Sequence, residues 1–417
     1  MRVKFFPFIP AGSVVVAVLA ILLVRPVTGA AVDPKPDWTT GLDLVTEGAV
    51  GGRGGAARGQ SWHGLALAKI AWNPAERPEG VHLQTYVSVL SLMGRGPSER
   101  FLGDFLAASN IEGFASTRLY SWWAEAKAGD WNLRAGALLA DDEFCGTEAG
   151  GNLFHSAFGW PAFISANTVN TGPAFYVAAP GVRLERGLGA GATWRFGVYD
   201  GDSFDSPAGD PQSTRHGLHY RVGGAQGWLV LSEFSFAPVG GASRAKVGFW
   251  WHTAEFADVR DDVGGRRIAD TGNAARMHAG NFGGYVVAER TVAGKSGEAG
   301  CVSAFVRAGL APVDRNALSW VVDSGVAVTG LLPGRPSDVA SLGLVFDRFS
   351  PRFSSHARAL DPASPAPDFE HVVELNYSAA LTERVSLQPD FQFIRHPGGS
   401  ALRRDACLFL LRVKASF

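Results

Sequence analysis

The sequence predicts an all-β fold: a transmembrane antiparallel β-barrel of about 16 strands with one long loop folded into its lumen. The last segment, Cys407–Phe417, places apolar residues at every second position up to an aromatic C-terminus. A barrel must pair its last strand with its first to remove both edges, which suits an alternating strand at this position. The apolar residues, 46% of the chain, are spread over short segments, and 52 glycines and 23 prolines favour many strands joined by turns.

The N-terminus predicts export from the cytoplasm. Arg2 and Lys4 precede an apolar run at Ala11–Val24, and a small-residue site, Thr28-Gly29-Ala30, follows it. This pattern is typical of a secretory signal peptide, which we place at residues 1–30. A retained membrane anchor is the alternative, but the run is shorter than a spanning helix needs.

Residues 31–60 show no alternation, and the stretch Gly48–Gly59 is rich in glycine and arginine. We therefore expect an irregular N-terminal segment at 31–60, followed by the barrel at 61–417.

Period-two alternation recurs along the rest of the chain. One face of each segment is apolar, and the other repeatedly carries charged or polar residues. The alternating segments are 81–89, 131–139, 193–199, 218–222, 246–252, 302–308, 373–377 and 387–393. Each is therefore predicted to be a strand with two chemically different faces.

Alternation also fits a soluble β-sandwich, so other features must decide between the two architectures. The signal peptide and the aromatic terminus favour a membrane barrel. Tryptophans near strand ends, at Trp62, Trp72, Trp131 and Trp228, suit the two membrane interfaces. At about 22–25 residues per strand and turn, the chain after residue 30 provides about 16 strands, enough to leave an aqueous lumen.

Between Asp141 and Ala190 the alternation fades into a long stretch rich in glycine, proline, asparagine and aromatic residues. Loops of this length usually have a function. In a barrel with an aqueous lumen, we expect this one to fold inward as a constriction loop.

Composition excludes several functions. The 38 basic residues are balanced by 39 acidic ones, so no basic surface for nucleic acid is indicated. The three cysteines are too few and too widely spaced for a disulfide framework or a metal site. Adjacent carboxylates in Asp141-Asp142-Glu143 do not have the spacing that flanks a glycosidic bond, so they do not indicate an enzyme. We also expect no cofactor and no metal site.

Strand parity in Leu119–Lys127 selects candidate lumen residues. One face carries Ser121, Trp123, Glu125 and Lys127, and we assign it to the lumen; the other carries Tyr120 and Trp122. Trp123 would then be a flat apolar platform beside the acceptor Glu125. The alternative is equally compatible with the sequence: Trp123 packs beneath an inserted loop and Glu125 forms an ion pair.

Charged residues on the polar faces could form opposed rows across a constriction, or they could neutralise one another and support the wall. The candidate basic residues are Arg118, Arg134, Arg183, Arg195, Arg221 and Arg307; the acidic ones are Glu112, Asp142, Glu233, Glu374 and Asp390. Arg183 and Asp142 rank first because both fall in the predicted constriction loop.

A series of short motifs follows in a fixed order along the chain. They include Ser109-Asn110-Ile111-Glu112, Arg118-Leu119-Tyr120, Arg134-Ala135-Gly136, Asp141-Asp142-Glu143-Phe144, Phe154-His155-Ser156-Ala157-Phe158-Gly159, Ala179-Pro180-Gly181-Val182-Arg183, Tyr199-Asp200-Gly201-Asp202, Gly248-Phe249-Trp250-Trp251-His252-Thr253, Pro312-Val313-Asp314-Arg315-Asn316 and Gln388-Pro389-Asp390. In this order the motifs resemble those of the carbohydrate-selective porin family of Gram-negative outer membranes. Trp122-Trp123-Ala124 and Cys145 depart from that family's pattern.

The resemblance implies an outer-membrane, sixteen-stranded barrel through which sugars, as monosaccharides or small oligosaccharides, diffuse into the periplasm. Its expected contacts are the sugars and the outer-membrane lipid, and assembly into a homo-oligomer is left open. The expected pore-lining or sugar-binding residues are Arg183, Asp142, Glu112, Arg118, Trp123, Glu125, Arg134 and Phe144. The rival hypotheses are a general or anion-preferring pore and a secreted soluble glycan-binding or glycan-cleaving protein.

Overall fold

The computed structural model describes residues 37–75, 80–238 and 240–417, and the predicted signal peptide at residues 1–30 lies outside this part of the chain. The described residues form a closed barrel of sixteen antiparallel strands, each paired with its neighbours in sequence, and β1 pairs with β16. The predicted fold class and strand number are therefore confirmed.

The strands are β1 Trp38–Arg53, β2 Gln60–Trp72, β3 His82–Arg95, β4 Thr117–Ala128, β5 Trp131–Leu138, β6 Ala179–Gly189, β7 Ala192–Asp200, β8 Trp228–Phe236, β9 Ser243–Asp262, β10 Ala275–Ala293, β11 Val302–Leu310, β12 Leu318–Thr329, β13 Val339–Phe349, β14 His371–Ala380, β15 Val385–Arg395 and β16 Ala406–Ser416.

Short helices lie in the connections: α1 Ser156–Gly159, α2 Ala162–Ser165, α3 Ile268–Thr271 and α4 Pro351–Leu360, with a π-helical turn at Ser98–Leu102. None of the helices in the described ranges is long and apolar enough to cross a bilayer. Connections alternate between short turns, such as 129–130 between β4 and β5, and long loops, such as 139–178 between β5 and β6. In barrels of this type the short turns face the periplasm and the long loops face outward.

The seam of the barrel forms as the alternation of the last segment predicts. Phe417 and Leu42 exchange two backbone hydrogen bonds, of 2.9 and 3.0 Å, just beyond the β1–β16 ladder. Along β16, Phe409 and Leu411 are exposed on the outer face while Leu408 and Leu410 are buried inside. The outer row is the apolar surface that a lipid-facing strand requires.

The lumen is largely filled by two inward-folded loops, which we call loop A (96–116) and loop B (139–178). Loop B carries a buried apolar core that includes Phe144, Phe154, Phe158 and Phe163. The loops bind each other, since Asn110 N donates to Phe154 O at 2.6 Å and Ser156 N donates to Ala107 O at 3.0 Å. Only loop B was predicted to turn inward.

Three sequence expectations about the bounds of strands and loops are wrong. Trp38–Arg53, within the predicted irregular segment 31–60, is the first barrel strand. The predicted constriction loop 141–190 ends earlier, because β6 begins at Ala179 and contains Arg183. The alternating segment 218–222 is part of a loop between β7 and β8. Glycine is common in barrel strands, so a glycine-rich stretch is a poor indicator of irregular structure here.

Candidate functional site

A cavity of about 840 Å³ remains inside the barrel beside the two loops. Strands β16 and β1 to β5 supply one wall, through residues such as Leu67, Tyr86 and Trp123, and loops A and B supply the other. Strand alternation explains the first wall, since every second side chain of these strands points inward.

Aromatic rings cover part of the strand wall. Tyr86 and Trp123 stack with centroids 5.4 Å apart at 17°, because these residues are cross-strand partners in β3 and β4. The guanidinium of Arg134 lies over the Trp123 ring, 4.0 Å from its centroid. The neighbouring Trp122 is on the outer face and is 37% exposed. The predicted lumen assignment of Trp123 therefore matches the structure.

The parity of β4 changes once. Tyr120, which sequence parity assigns to the outer face, is buried and lines the cavity together with Ser121. The β3–β4 pairing shifts register between Val87 and Val89, and such a bulge reverses the alternation locally. The assignment of Tyr120 was therefore wrong, whereas that of Ser121, Trp123 and Glu125 fits the structure.

Carboxylates from the loops line the opposite wall. Burial raises the pKa of Glu112 to about 7, and the nearby Glu47 adds to the shift. Burial and the adjacent Asp142 raise the pKa of Asp141 to about 7. The Asp142 side chain is exposed at the cavity, where partial desolvation by the neighbouring protein and the adjacent Glu143 raise its pKa to about 6. These groups change charge near neutral pH.

Behind the cavity surface, a belt of ion pairs joins loop B to the wall of β4 to β8. Arg134 contacts Glu125 at 2.7 Å and Glu143 at 2.5 Å. Arg183 contacts the same two carboxylates, at 2.9 and 3.2 Å. Arg195 continues the belt to Glu185 and Glu143. The charges in this belt neutralise one another, as the supporting-wall alternative expected.

On the other side of the lumen, wall side chains bind the loop backbone. Glu374 accepts from Phe154 N at 2.6 Å and His155 N at 2.8 Å. Glu370, which precedes β14, accepts from Phe105 N and Leu106 N of loop A at 2.7 and 2.9 Å. These bonds satisfy amide groups that would otherwise be buried without partners.

Arg307 makes four hydrogen bonds to the backbone of loop B. Its side chain is fully buried, contacts Asp323 at 2.8 Å, and donates to the carbonyl oxygens of Cys145, Ala157, Phe158 and Gly159 at 2.7–3.3 Å. One guanidinium therefore holds two turns of loop B. Arg307 was predicted only as one of the basic lumen residues, and that prediction did not reveal its role as an anchor for loop B.

The predicted site residues divide into three groups. Glu112, Asp142, Trp123 and Arg134 line the cavity. Glu125 and Arg183 lie in the ion-pair belt next to it. Arg118 and Phe144 are not among the residues that line the cavity: Arg118 binds Ser116 Oγ at 2.7 Å, and Phe144 packs in the loop B core against Tyr199.

Sequence reasoning missed several cavity residues. Tyr86 and Lys414 occupy alternating strands, so parity could have found them, whereas Trp160 and Tyr176 lie in loop B, where no period applies. Arg412 reaches the cavity while contacting Glu47 at 2.7 Å and the ring of Phe154 at 3.7 Å. Within the described ranges, no three or more histidine, cysteine or carboxylate side chains converge in a way that could hold a metal ion.

Comparisons with known proteins agree with this architecture. The chain is 24% identical over 274 residues to porin B of Pseudomonas aeruginosa, a match that spans 61% of this chain and 55%, about half, of that relative's length. The high-pH structure of Pseudomonas putida OprB superposes with a TM-score of 0.81 at 19% identity, over 91% of this chain and 94% of that one.

The outer membrane channel DcaP of Acinetobacter baumannii gives a TM-score of 0.56 at 12% identity, over 91% of this chain and 97% of its own. Both structures are similar in fold at low identity. Residues 81–417 match the family described as carbohydrate-selective porin, OprB family. The match covers most of the barrel, so this chain is an outer-membrane β-barrel that belongs to the OprB family of carbohydrate-selective porins.

Proposed function

We propose that this barrel is a channel through which neutral sugars, as monosaccharides or small oligosaccharides, diffuse passively across the outer membrane into the periplasm. The observation that carries the proposal is the pairing of the Tyr86–Trp123 platform with Arg134 and the loop carboxylates around one cavity. Family membership supports the same solute class.

The chemistry of the cavity suits a sugar. A pyranose ring has apolar C–H faces that pack on aromatic rings and hydroxyl groups that both donate and accept hydrogen bonds. Tyr86 and Trp123 offer apolar ring surface, Arg134 offers donors, and Asp142 offers acceptors. The volume of about 840 Å³ lies within the range of about 300–1,000 Å³ that small-molecule sites occupy.

Passage also requires weak binding, because a tightly held solute would not leave. The belt of ion pairs favours this, since Arg134 already binds Glu125 and Glu143 and need not be neutralised by the solute. No catalytic group is required, and we propose no enzymatic activity.

Single-channel recording with a matched tryptophan pair tests the proposal. Trp123→Ala removes the platform, whereas Trp122→Ala removes the adjacent ring on the lipid side. An aromatic contact worth about 0.5–1.5 kcal/mol predicts that the sugar concentration giving half-block of the current rises about 2- to 12-fold for Trp123→Ala. Trp122→Ala should leave it unchanged.

If the wild-type channel shows no saturable block with any monosaccharide or disaccharide, the sugar proposal is wrong and a general pore is favoured. The anion-preferring alternative has less support, because Arg134 and Arg412 are both ion-paired and three carboxylates face the same cavity. A reversal potential showing strong chloride preference would reverse that judgement.

A further inference from the structure

Four polar side chains form a square on the lumen face of β14 and β15 that sugar passage does not explain. Glu374 and Gln392 are cross-strand partners, and so are Asn376 and Asp390. Directly opposed side chains have Cβ atoms about 4.5–5.5 Å apart, and residues two apart on one strand share a face. All four side chains therefore meet behind loop B.

The square is almost completely shielded from solvent. Glu374 and Gln392 are 0% exposed, Asn376 is 3% exposed and Asp390 is 4% exposed. None of the four lines the cavity. Buried polar groups nearly always have hydrogen-bond partners, so an unpartnered atom at such a site needs an explanation.

The unpartnered atoms in the square are all acceptors. Both carboxylate oxygens of Asp390, the amide oxygen of Gln392 and the amide oxygen of Asn376 lack a hydrogen-bond donor. The orientations of the two amides are fixed, because Gln392 Nε2 donates to Ala108 O at 2.8 Å and Asn376 Nδ2 donates to Asn152 O at 2.8 Å. The amide oxygens are therefore left for another partner.

The square brings two carboxyl groups together with no basic side chain among its four members. Glu374 and Asp390 would carry two negative charges if both were ionised, and Arg412 on β16 is already paired with Glu47 at 2.7 Å. A proton shared between the two carboxyl groups would satisfy one oxygen of Asp390. It would leave the oxygens of Asn376 and Gln392 without a donor.

We propose that this square of Glu374, Asn376, Asp390 and Gln392 binds one calcium ion. Calcium takes six to eight oxygen ligands, mixing carboxylates with amide carbonyls, and tolerates irregular geometry. Asp390 can supply two oxygens, the amides one each, and Glu374 a further lone pair, with water completing the shell. The two positive charges of a calcium ion would balance the two negative charges of the ionised carboxylates.

The ion would fix both inward loops at one point. Glu374 binds Phe154 N and His155 N, Asn376 and Gln388 bind Asn152 O, and Gln392 binds Ala108 O of loop A. A cation that holds the four side chains in place also holds these anchors. The aperture of the channel is then set in part by calcium, whichever solute passes.

Equilibrium dialysis with radioactive calcium tests the site. The full protein is extracted from outer membranes in detergent, passed over a chelating resin, and dialysed against micromolar calcium at pH 7.5. We expect one tightly bound calcium per wild-type chain. Asp390→Asn keeps the shape of the side chain and removes one charge, and it should weaken that binding by about tenfold or more.

Glu289→Gln is the matched control, because Glu289 is another wall carboxylate that accepts a loop amide, Ala149 N at 2.6 Å, outside the square. It should retain the calcium. Gln392→Met removes an amide oxygen without changing the charge and provides a second test. Folding of each variant is verified on a gel, where the unheated, folded protein differs in mobility from the unfolded chain. Calcium binding that is absent from the wild type, or equal in the wild type and both square variants, would overturn the proposal.

Discussion

The two halves of the lumen use the same strand pattern for different purposes. In the open half, β16 and β1 to β5, inward side chains such as Tyr86, Trp123 and Arg134 are large and face the cavity. In the packed half, β7 to β15, glycines admit loop aromatics: a Cβ on Gly343 would lie 2.5 Å from Phe158 Cζ. The inward position of a residue thus does not decide whether it meets solute or loop.

Charged residues differ between the halves in the same way. In the open half, Arg134 pairs with carboxylates and still reaches the cavity. In the packed half, Arg307 and Glu374 bind main-chain atoms of loop B and are fully buried. Charged side chains therefore face the cavity on one side of the lumen and hold the loop on the other.

The largest effect is expected from Arg307→Met in the packed half. The substitution removes four hydrogen bonds to loop B and leaves Asp323 as an unpaired buried charge. Removing one partner of a buried pair costs about 3–5 kcal/mol, so thermal unfolding should begin at a clearly lower temperature. Released from its anchor, loop B should also let single-channel conductance rise.

Arg134→Met is the control in the open half. Arg134 is partly exposed, and Glu125 and Glu143 keep Arg183 as a partner, so the loss should be clearly smaller than for Arg307→Met. Equal destabilisation by the two variants would mean that the halves do not differ in this way.

A second, smaller effect is expected from Gly309→Ala. A Cβ at this position would overlap the ring of Phe163, which is fully buried, so loop B must shift. Overpacking of this kind costs about 1–3 kcal/mol, measurable as a lower unfolding temperature. Gly48→Ala, on β1 with no atom within 4 Å of the new Cβ, should be neutral. A neutral result for both variants would contradict tight packing between loop B and β11.

The smallest effect concerns the charge of the cavity. Glu112 and Asp141, each with a pKa of about 7, and Asp142, with a pKa of about 6, are mostly neutral at pH 5 and ionised at pH 8. Because the negative charge appears as the pH rises, cation selectivity should increase between pH 5 and pH 8. Reversal potentials under a potassium chloride gradient measure this.

The same shifts have a consequence for stability. Carboxyl groups whose pKa is raised by folding destabilise the folded state as the pH rises from about 4 toward 7, because they must ionise where hydration is poor.

Two variants check the predicted change in cation selectivity. Asp142→Asn should remove part of the selectivity change, whereas Asp361→Asn, on an exposed outer loop, should not. A wild-type reversal potential independent of pH would show that these groups do not face the conduction path.

The outer surface of the barrel could be predicted because lipid imposes one rule on every spanning strand. The alternation of Phe409 and Leu411 with Leu408 and Leu410 reports that rule directly. Trp123 was placed correctly by the same parity. Tyr120 was assigned to the wrong face, because a bulge in the β3–β4 pairing reverses the alternation of side chains and the sequence of β4 does not show that bulge.

The interior was less predictable, since its contacts join residues far apart in the chain. Arg183 was assigned to the loop because the alternation fades between Asp141 and Ala190, although β6 begins at Ala179. The role of Glu374 depends on loop amides some 220 positions away, and no local pattern encodes that meeting. The sequence left open whether the lumen charges form opposed rows or neutralise one another, and it did not show which residues pair with each other.

The bonds that hold loop B in the lumen have a consequence for how such channels diversify. Glu374, Asn376 and Arg307 bind amide and carbonyl groups of the main chain, which nearly all residue types possess. Substitutions at exposed cavity-facing positions of loop B, such as Asp142, therefore leave these contacts available. The lining of the cavity can thus change by point mutation while the bonds that hold loop B in the lumen persist.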